Sequence, residues 1–175
     1  MGKTRFQNSE VYAKGLGVID SDGNENMVVG PDGTLYNHSS VLFTEAGAGT
    51  YTGSVSIPAG SLIVDIIIHA IALWTSTSAA MIVGDAADDN GFFDAVNLKA
   101  TDLDVAESIN FSHTGGKEGA DVDSPASGAH VRRRYLATAR VVTGKVTASG
   151  GTGTAGRTLM TVVYTTPSAV AATKS

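Results

Sequence analysis

From Val41 onward the chain is built of short runs in which apolar and polar residues alternate. The runs fall at residues 41–44, 50–57, 62–73, 79–84, 92–98, 104–111, 134–148 and 157–165, with Gly, Pro, Ser and Asp between them. A period of two puts successive side chains on opposite faces of a strand. Many such runs with turn residues between them predict an all-β sandwich or barrel. The longest run has one continuously apolar face, Leu62, Val64, Ile66, Ile68, Ala70 and Ala72, and one mixed face, Ile63, Asp65, Ile67, His69, Ile71 and Leu73. That pattern predicts a central strand with one side in the core and the other partly covered. The Gly-rich stretch 149–156 is expected to join two strands as a long hairpin, Pro58-Ala59-Gly60 to turn one strand into the next, and Asn90-Gly91 to close another hairpin. No helix is predicted, because Asp85-Ala86-Ala87-Asp88 is too short and too rich in turn formers to nucleate one.

Residues 1–40 have a different texture. Turn clusters at residues 20–24 and 30–33 interrupt short apolar patches, which predicts an extended arm. An arm is either disordered or ordered by lying on a neighbouring molecule, and the spaced apolar anchors Phe6, Tyr12, Leu35 and Tyr36 favour the second. The predicted organisation is an arm over 1–40, a β-sandwich domain over 41–167 and a flexible tail over 168–175.

Composition sharpens this picture. A chain of 175 residues can bury a sizeable core as one domain without staples, and with no cysteine it has no disulfides or thiolate metal sites. Charged residues make up 17%, below the roughly 25% of ordinary soluble chains. Such a surface of Ser, Thr, Gly and Ala suits a protein held in a lattice or complex. A net charge of −5 disfavours generic binding to nucleic acid or anionic membranes. Arg132-Arg133-Arg134 runs against that balance; the reading favoured here is pairing with acidic groups of this chain or of a neighbouring copy. No apolar h-region follows the N-terminal residues, and the apolar run from Leu62 contains Asp65 and His69 and is too short to span a bilayer.

Candidate chemistry is sparse. Residues 151–156 fit the spacing of a dinucleotide-binding loop, but a β-run follows where a helix is required. Asp20, Asp22 and Asn24 imitate the start of an EF-hand, yet Glu25 stands where that loop needs Gly. Asp85, Asp88, Asp89, Asn90 and Asp94 form an acidic cluster, read as turn residues with Ca²⁺ as the minor alternative. His38, His69, His113 and His130 show no metal-type pairing, and no Gly-x-Ser-x-Gly elbow is present. The expectation is no catalytic residue, no cofactor and no metal: a protein that is not an enzyme.

Three segments carry a resemblance. Residues 55–65, with Ile57-Pro58-Ala59-Gly60, residues 81–92, with Val83-Gly84-Asp85-Ala86-Ala87-Asp88, and the Ala155-Gly156-Arg157-Thr158-Leu159 segment leading to Val162-Val163-Tyr164 resemble small structural proteins of tailed bacteriophages. The resemblance covers about residues 41–165. It implies a virion protein of the head-decoration or capsid-stabilising type. It also implies a sandwich of jelly-roll type, a homotrimer, the major capsid protein as partner and a place on the capsid surface after assembly in the host cytoplasm. The contact candidates are then Phe6, Tyr12, Leu35 and Tyr36 of the arm, with Arg132, Arg133 and Arg134. The alternative is a tail or head-fibre component that binds host-surface carbohydrate, for which the single Trp74, at the end of the longest run, is poorly placed.

Overall fold

Alternation along the chain becomes ten strands among the described residues of the computed structural model, which are 17–19, 25–29, 35–122 and 133–165. They are β1 (Gly17–Ile19), β2 (Glu25–Val29), β3 (Leu35–Thr44), β4 (Gly49–Ile57), β5 (Leu62–Ala72), β6 (Ser78–Gly84), β7 (Phe93–Asn97), β8 (Ser108–Ile109), β9 (Arg140–Ser149) and β10 (Arg157–Thr165). The large sheet has the order β1-β2-β3-β10-β5-β8, the small sheet β4-β9-β6-β7, and neighbouring strands are antiparallel. No helix occurs among the described residues. The chain is therefore all-β with two antiparallel sheets, as its alternation predicts.

The pairing is nested. β3 pairs with β10, β4 with β9, β5 with β8 and β6 with β7, as in one long hairpin, and the contacts β10–β5 and β9–β6 roll that hairpin into two layers. Among these nested pairs the innermost, β6 and β7, joins sequential strands through Asn90-Gly91, as expected, and outside the nest β1, β2 and β3 also pair in sequence. The expected hairpins at 149–156 and 58–60 are instead crossings between the layers: β9 and β4 belong to the small sheet, β10 and β5 to the large one. Turn residues signal that the chain reverses, and sheet membership is decided by which apolar faces meet.

Three other expectations change. The run 104–111 forms only the two-residue β8, with turn and irregular chain over 104–107. The run 134–148 is divided, because residues 134–136 lie along the start of β5, through Arg134 O to Ile63 N and Leu136 O to Gly60 N, and β9 begins only at Arg140. The boundary expected after Ser40 falls inside β3, whose residues 37–44 pair continuously with β10, while β2 pairs with residues 35–37. Residues 35–40 thus belong to the sheet. The expected tail lies outside the described residues.

Inward-facing residues of both layers form one core that includes Phe43, Ile66, Ile68, Met160 and Val162 from the large sheet and Val55, Ile57, Met81, Val83, Val142 and Val146 from the small one. The register of β5 against β10 shifts twice, at Ile71 near its end and at Val64 near its start, and the second sets which side chains face inward. Val163 pairs with Asp65 and Tyr164 with Ile63, so Val64 is an extra residue in a bulge. One extra residue turns the following side chains to the other face. Ile63 is consequently buried along with Ile66, Ile68 and Ala70, while Leu62, expected inside, is 41% exposed.

Candidate functional site

Among the seven contact candidates, Phe6, Tyr12 and Arg132 lie outside the described residues. Leu35 and Tyr36 open β3, in register with Val29 and Val28 of β2. The register Asn37–Tyr164–Ile63 puts them at the end of the large sheet where Arg134 meets β5.

Arg133 and Arg134 are engaged within the chain. Arg133 Nη2 donates to both carboxylate oxygens of Asp85 at 3.1 Å, and its Nε lies 3.2 Å from Asp121 Oδ2. Arg134 donates from Nε to Ile63 O at 2.8 Å and from Nη2 to Val64 O, and its guanidinium lies over Phe111. A third arginine, Arg140, is buried at the start of β9. It donates to Arg133 O and, at 2.7 Å, to Arg134 O, lies 3.5 Å from Asp85 Oδ2, and stacks over Phe92. Burial alone would raise the Asp85 carboxyl, but the Ala87 N–H and the Arg133 guanidinium hold it below the usual range. Burial depresses the Arg140 pKa, although a guanidinium stays charged in proteins. The acidic cluster is thus partly an arginine receptor. Asp89 takes Lys145 at 2.8 Å, and no group of three or more metal-type ligands occurs among the described residues.

A second polar cluster was not foreseen. Glu45, between β3 and β4, is only 2% exposed. Its carboxylate accepts from Thr75 N, Thr75 Oγ1, Ser76 N, Ser76 Oγ and Gly156 N at 2.6–3.1 Å. Burial would raise its pKa, but these donors, Ser76 Oγ foremost, lower it to about 2. The same corner is strapped by Glu45 N to Gly156 O, Gly47 N to Gly153 O and Thr77 N to Gly150 O, with Lys99 Nζ donating to Trp74 O and Ser76 O. The crossing at 149–156 is therefore tied on both sides. The dinucleotide-like spacing found there is crossing chemistry: no helix follows, and Gly156 N serves Glu45. A carboxylate saturated this way has no free lone pair and no proton to trade near neutral pH, so its role is structural.

Gly156 also lies against the buried Trp74, whose Nε1 donates to Thr158 Oγ1 at 2.9 Å and whose ring meets Tyr51 edge-on at 5.1 Å. A Cβ at position 156 would stand 2.6 Å from the indole Cγ. Gly156→Ala is therefore expected to cost about 2 kcal/mol through overpacking, read as a lowered urea midpoint at unchanged slope. Because Trp74 is enclosed, it is not placed to stack on a sugar. Two shallow grooves of about 340 and 290 Å³ flank residues 139–141, with small and apolar residues dominating their walls.

The outer faces of the two sheets differ. The small sheet presents hydroxyls: Thr50, Thr52, Ser54 and Ser56 of β4 stand opposite Thr147, Lys145, Thr143 and Val141 of β9. The pairs Ser54–Thr143 and Ser78–Ser149 are hydrogen-bonded at 3.0 and 2.6 Å. The large sheet presents Leu42 beside Leu159, with Ile67 and Ile71 on β5, around the pair His69 Nδ1–Ser108 Oγ at 2.7 Å. His69 is half-buried and hydrogen-bonded, as expected of a packed histidine.

What fold and clusters define together is a two-layer antiparallel β protein whose buried polar groups serve its own architecture. No family model matches the chain, and no curated protein matches it. Among solved structures it is similar to a chain in the acidic stable capsid of Helicobacter pylori bacteriophage KHP30, at 16% identity and TM-score 0.49, covering 76% of this chain and 89% of that one. It is also similar to chains in the cyanophage Pam1 capsid asymmetric unit (18%, 0.45, 75% and 84%) and in the capsid of Ralstonia phage GP4 (16%, 0.46, 77% and 86%).

Proposed function

We propose that the chain is a non-enzymatic structural component of a tailed-bacteriophage particle that decorates and stabilises the head shell. The observation that carries this reading is the contrast between interior and surface. The buried carboxylates Glu45 and Asp85 are satisfied by donors of the chain itself, whereas large apolar side chains lie open at the surface, Leu42 and Ile71 on the large sheet and Val141 on the small one. Polar chemistry is directed inward to hold the fold, and contact area is directed outward. The phage assignment rests on the segments around Ile57-Pro58-Ala59-Gly60 and Val83-Gly84-Asp85, which supply a layer crossing and the carboxylate that receives Arg133. The nested pairing of β3 to β10 supports a jelly roll.

In this reading the chain self-associates, as a trimer, and binds the major capsid protein on the outside of the head, with the residues ahead of β3 reaching the shell. Several individually weak contacts acting together convert modest affinities into firm attachment and stabilise the shell state they bind. The test is the ratio of this chain to the major shell protein in purified particles, by quantitative mass spectrometry. A ratio of the same order is expected. A ratio at the level of tail components, or absence from the particle, overturns the decoration role.

A further inference from the structure

We infer that the outer face of β3, β10 and β5 is the surface by which copies of this chain contact one another. The inference deepens the self-association just proposed and rests on it. The two sheets differ where solvent meets them. The small sheet carries Thr and Ser along most of β4 and β9, side chains that water satisfies, interrupted by Lys145 and by Val141, which is 45% exposed near the start of β9. On the large sheet Leu42 and Ile71 are 52% and 43% exposed, and Leu159 fills the row between Leu42 and His69. This outer face mixes Leu42, Leu159, Ile67 and Ile71 with Ser40, Thr161 and His69, and large apolar side chains left open on a sheet mark a face that another surface covers.

Charge selects a second copy as the occupant. The chain carries a net charge of −5, so two copies repel across most orientations. The rows Leu42–Leu159–His69 and Ser40–Thr161–Ile67 hold no carboxylate, lysine or arginine, and Asp65, one row on, is turned to the Ile66 and Phe111 N–H groups. Arg157, exposed in the next row between Thr44 and Ala72, is a cation, which an acidic copy meets with attraction rather than repulsion, so these rows set no carboxylate against carboxylate. Its size fixes the strength. Three strands about 4.8 Å apart and some 30 Å long span roughly 400 Å², about half of what each partner contributes to a stable two-body interface. The contact is therefore weak between free chains and becomes firm where the particle holds copies side by side.

Sedimentation of the full chain, from micromolar to near-millimolar concentration, tests this alongside Leu42→Glu, Ile71→Glu and the control Thr52→Glu on the hydroxyl face. Association that rises with concentration and survives added salt is expected for the parent and for Thr52→Glu. The two face variants should raise the half-association concentration by about tenfold or more. Leu42→Thr, a β-branched neutral replacement, should fall between, and circular dichroism melts verify that each variant is folded. If the parent associates and the face variants follow it unchanged, this surface is wrong while self-association stands. If the parent stays a single copy throughout, both fall, and the particle ratio alone decides the decoration role.

Discussion

Glu45→Ala is expected to destabilise the protein by about 4 kcal/mol at pH 7, because it deletes the acceptor shared by five donor groups and leaves the Ser76 and Gly156 N–H groups buried without a partner. Glu45→Gln isolates the charge. It keeps the shape but turns an NH₂ toward groups that are themselves donors. The carboxyl titrates at about 2 in the folded chain against 4.5 when unperturbed. A depressed folded pKa means that the unfolded chain binds the proton first as pH falls. The stabilisation is therefore complete above about pH 4.5 and is lost progressively down to about pH 2, amounting to about 3 kcal/mol over that window. Urea unfolding at several pH values should show this acid limb in the parent and its loss in Glu45→Gln. Equal stability of the two proteins at pH 7 would show that the donors are satisfied without the charge.

That Glu45 matters could not be read from its neighbourhood. It stands in Glu45-Ala46-Gly47-Ala48-Gly49, which reads as an ordinary turn, and its partners lie 30, 31 and 111 residues away. Strands were legible because a period of two is local, and it survives in β4, β5, β6, β9 and β10. Their assignment to layers was not, since a Gly-rich or Pro-containing turn serves a hairpin and a crossing equally well. The phase error at Leu62 has the same origin: the bulge at Val64 is defined by its partner strand and leaves no mark on β5. The arginine run was legible as a salt-bridging element because it opposed an acidic chain. Its receptor, Asp85, 48 residues earlier, was one of several acids in a loop, and only the fold singles it out.

Asp85→Ala is the second large effect expected, at about 3 to 5 kcal/mol, because it strips the carboxylate from two guanidiniums at once. Arg140 has nowhere to relax, with its side chain 5% exposed, whereas Arg133, at 34%, can turn toward water and keep Asp121. Most of the loss therefore belongs to Arg140, and a double-mutant cycle should reveal it. Arg140→Met retains much of the packing on Phe92 and leaves Asp85 held by Arg133, so it should cost less than Asp85→Ala, and the second substitution should add little once Arg140 is gone. The carboxyl is depressed below 3.8, so its contribution is present at neutral pH and is lost as pH falls below about 4 toward that lowered value. Chemical denaturation of the three variants at pH 7 and pH 3 checks both statements. Strictly additive losses would mean that Arg140 is held by the carbonyls of Arg133 and Arg134 and that Asp85 serves Arg133 alone.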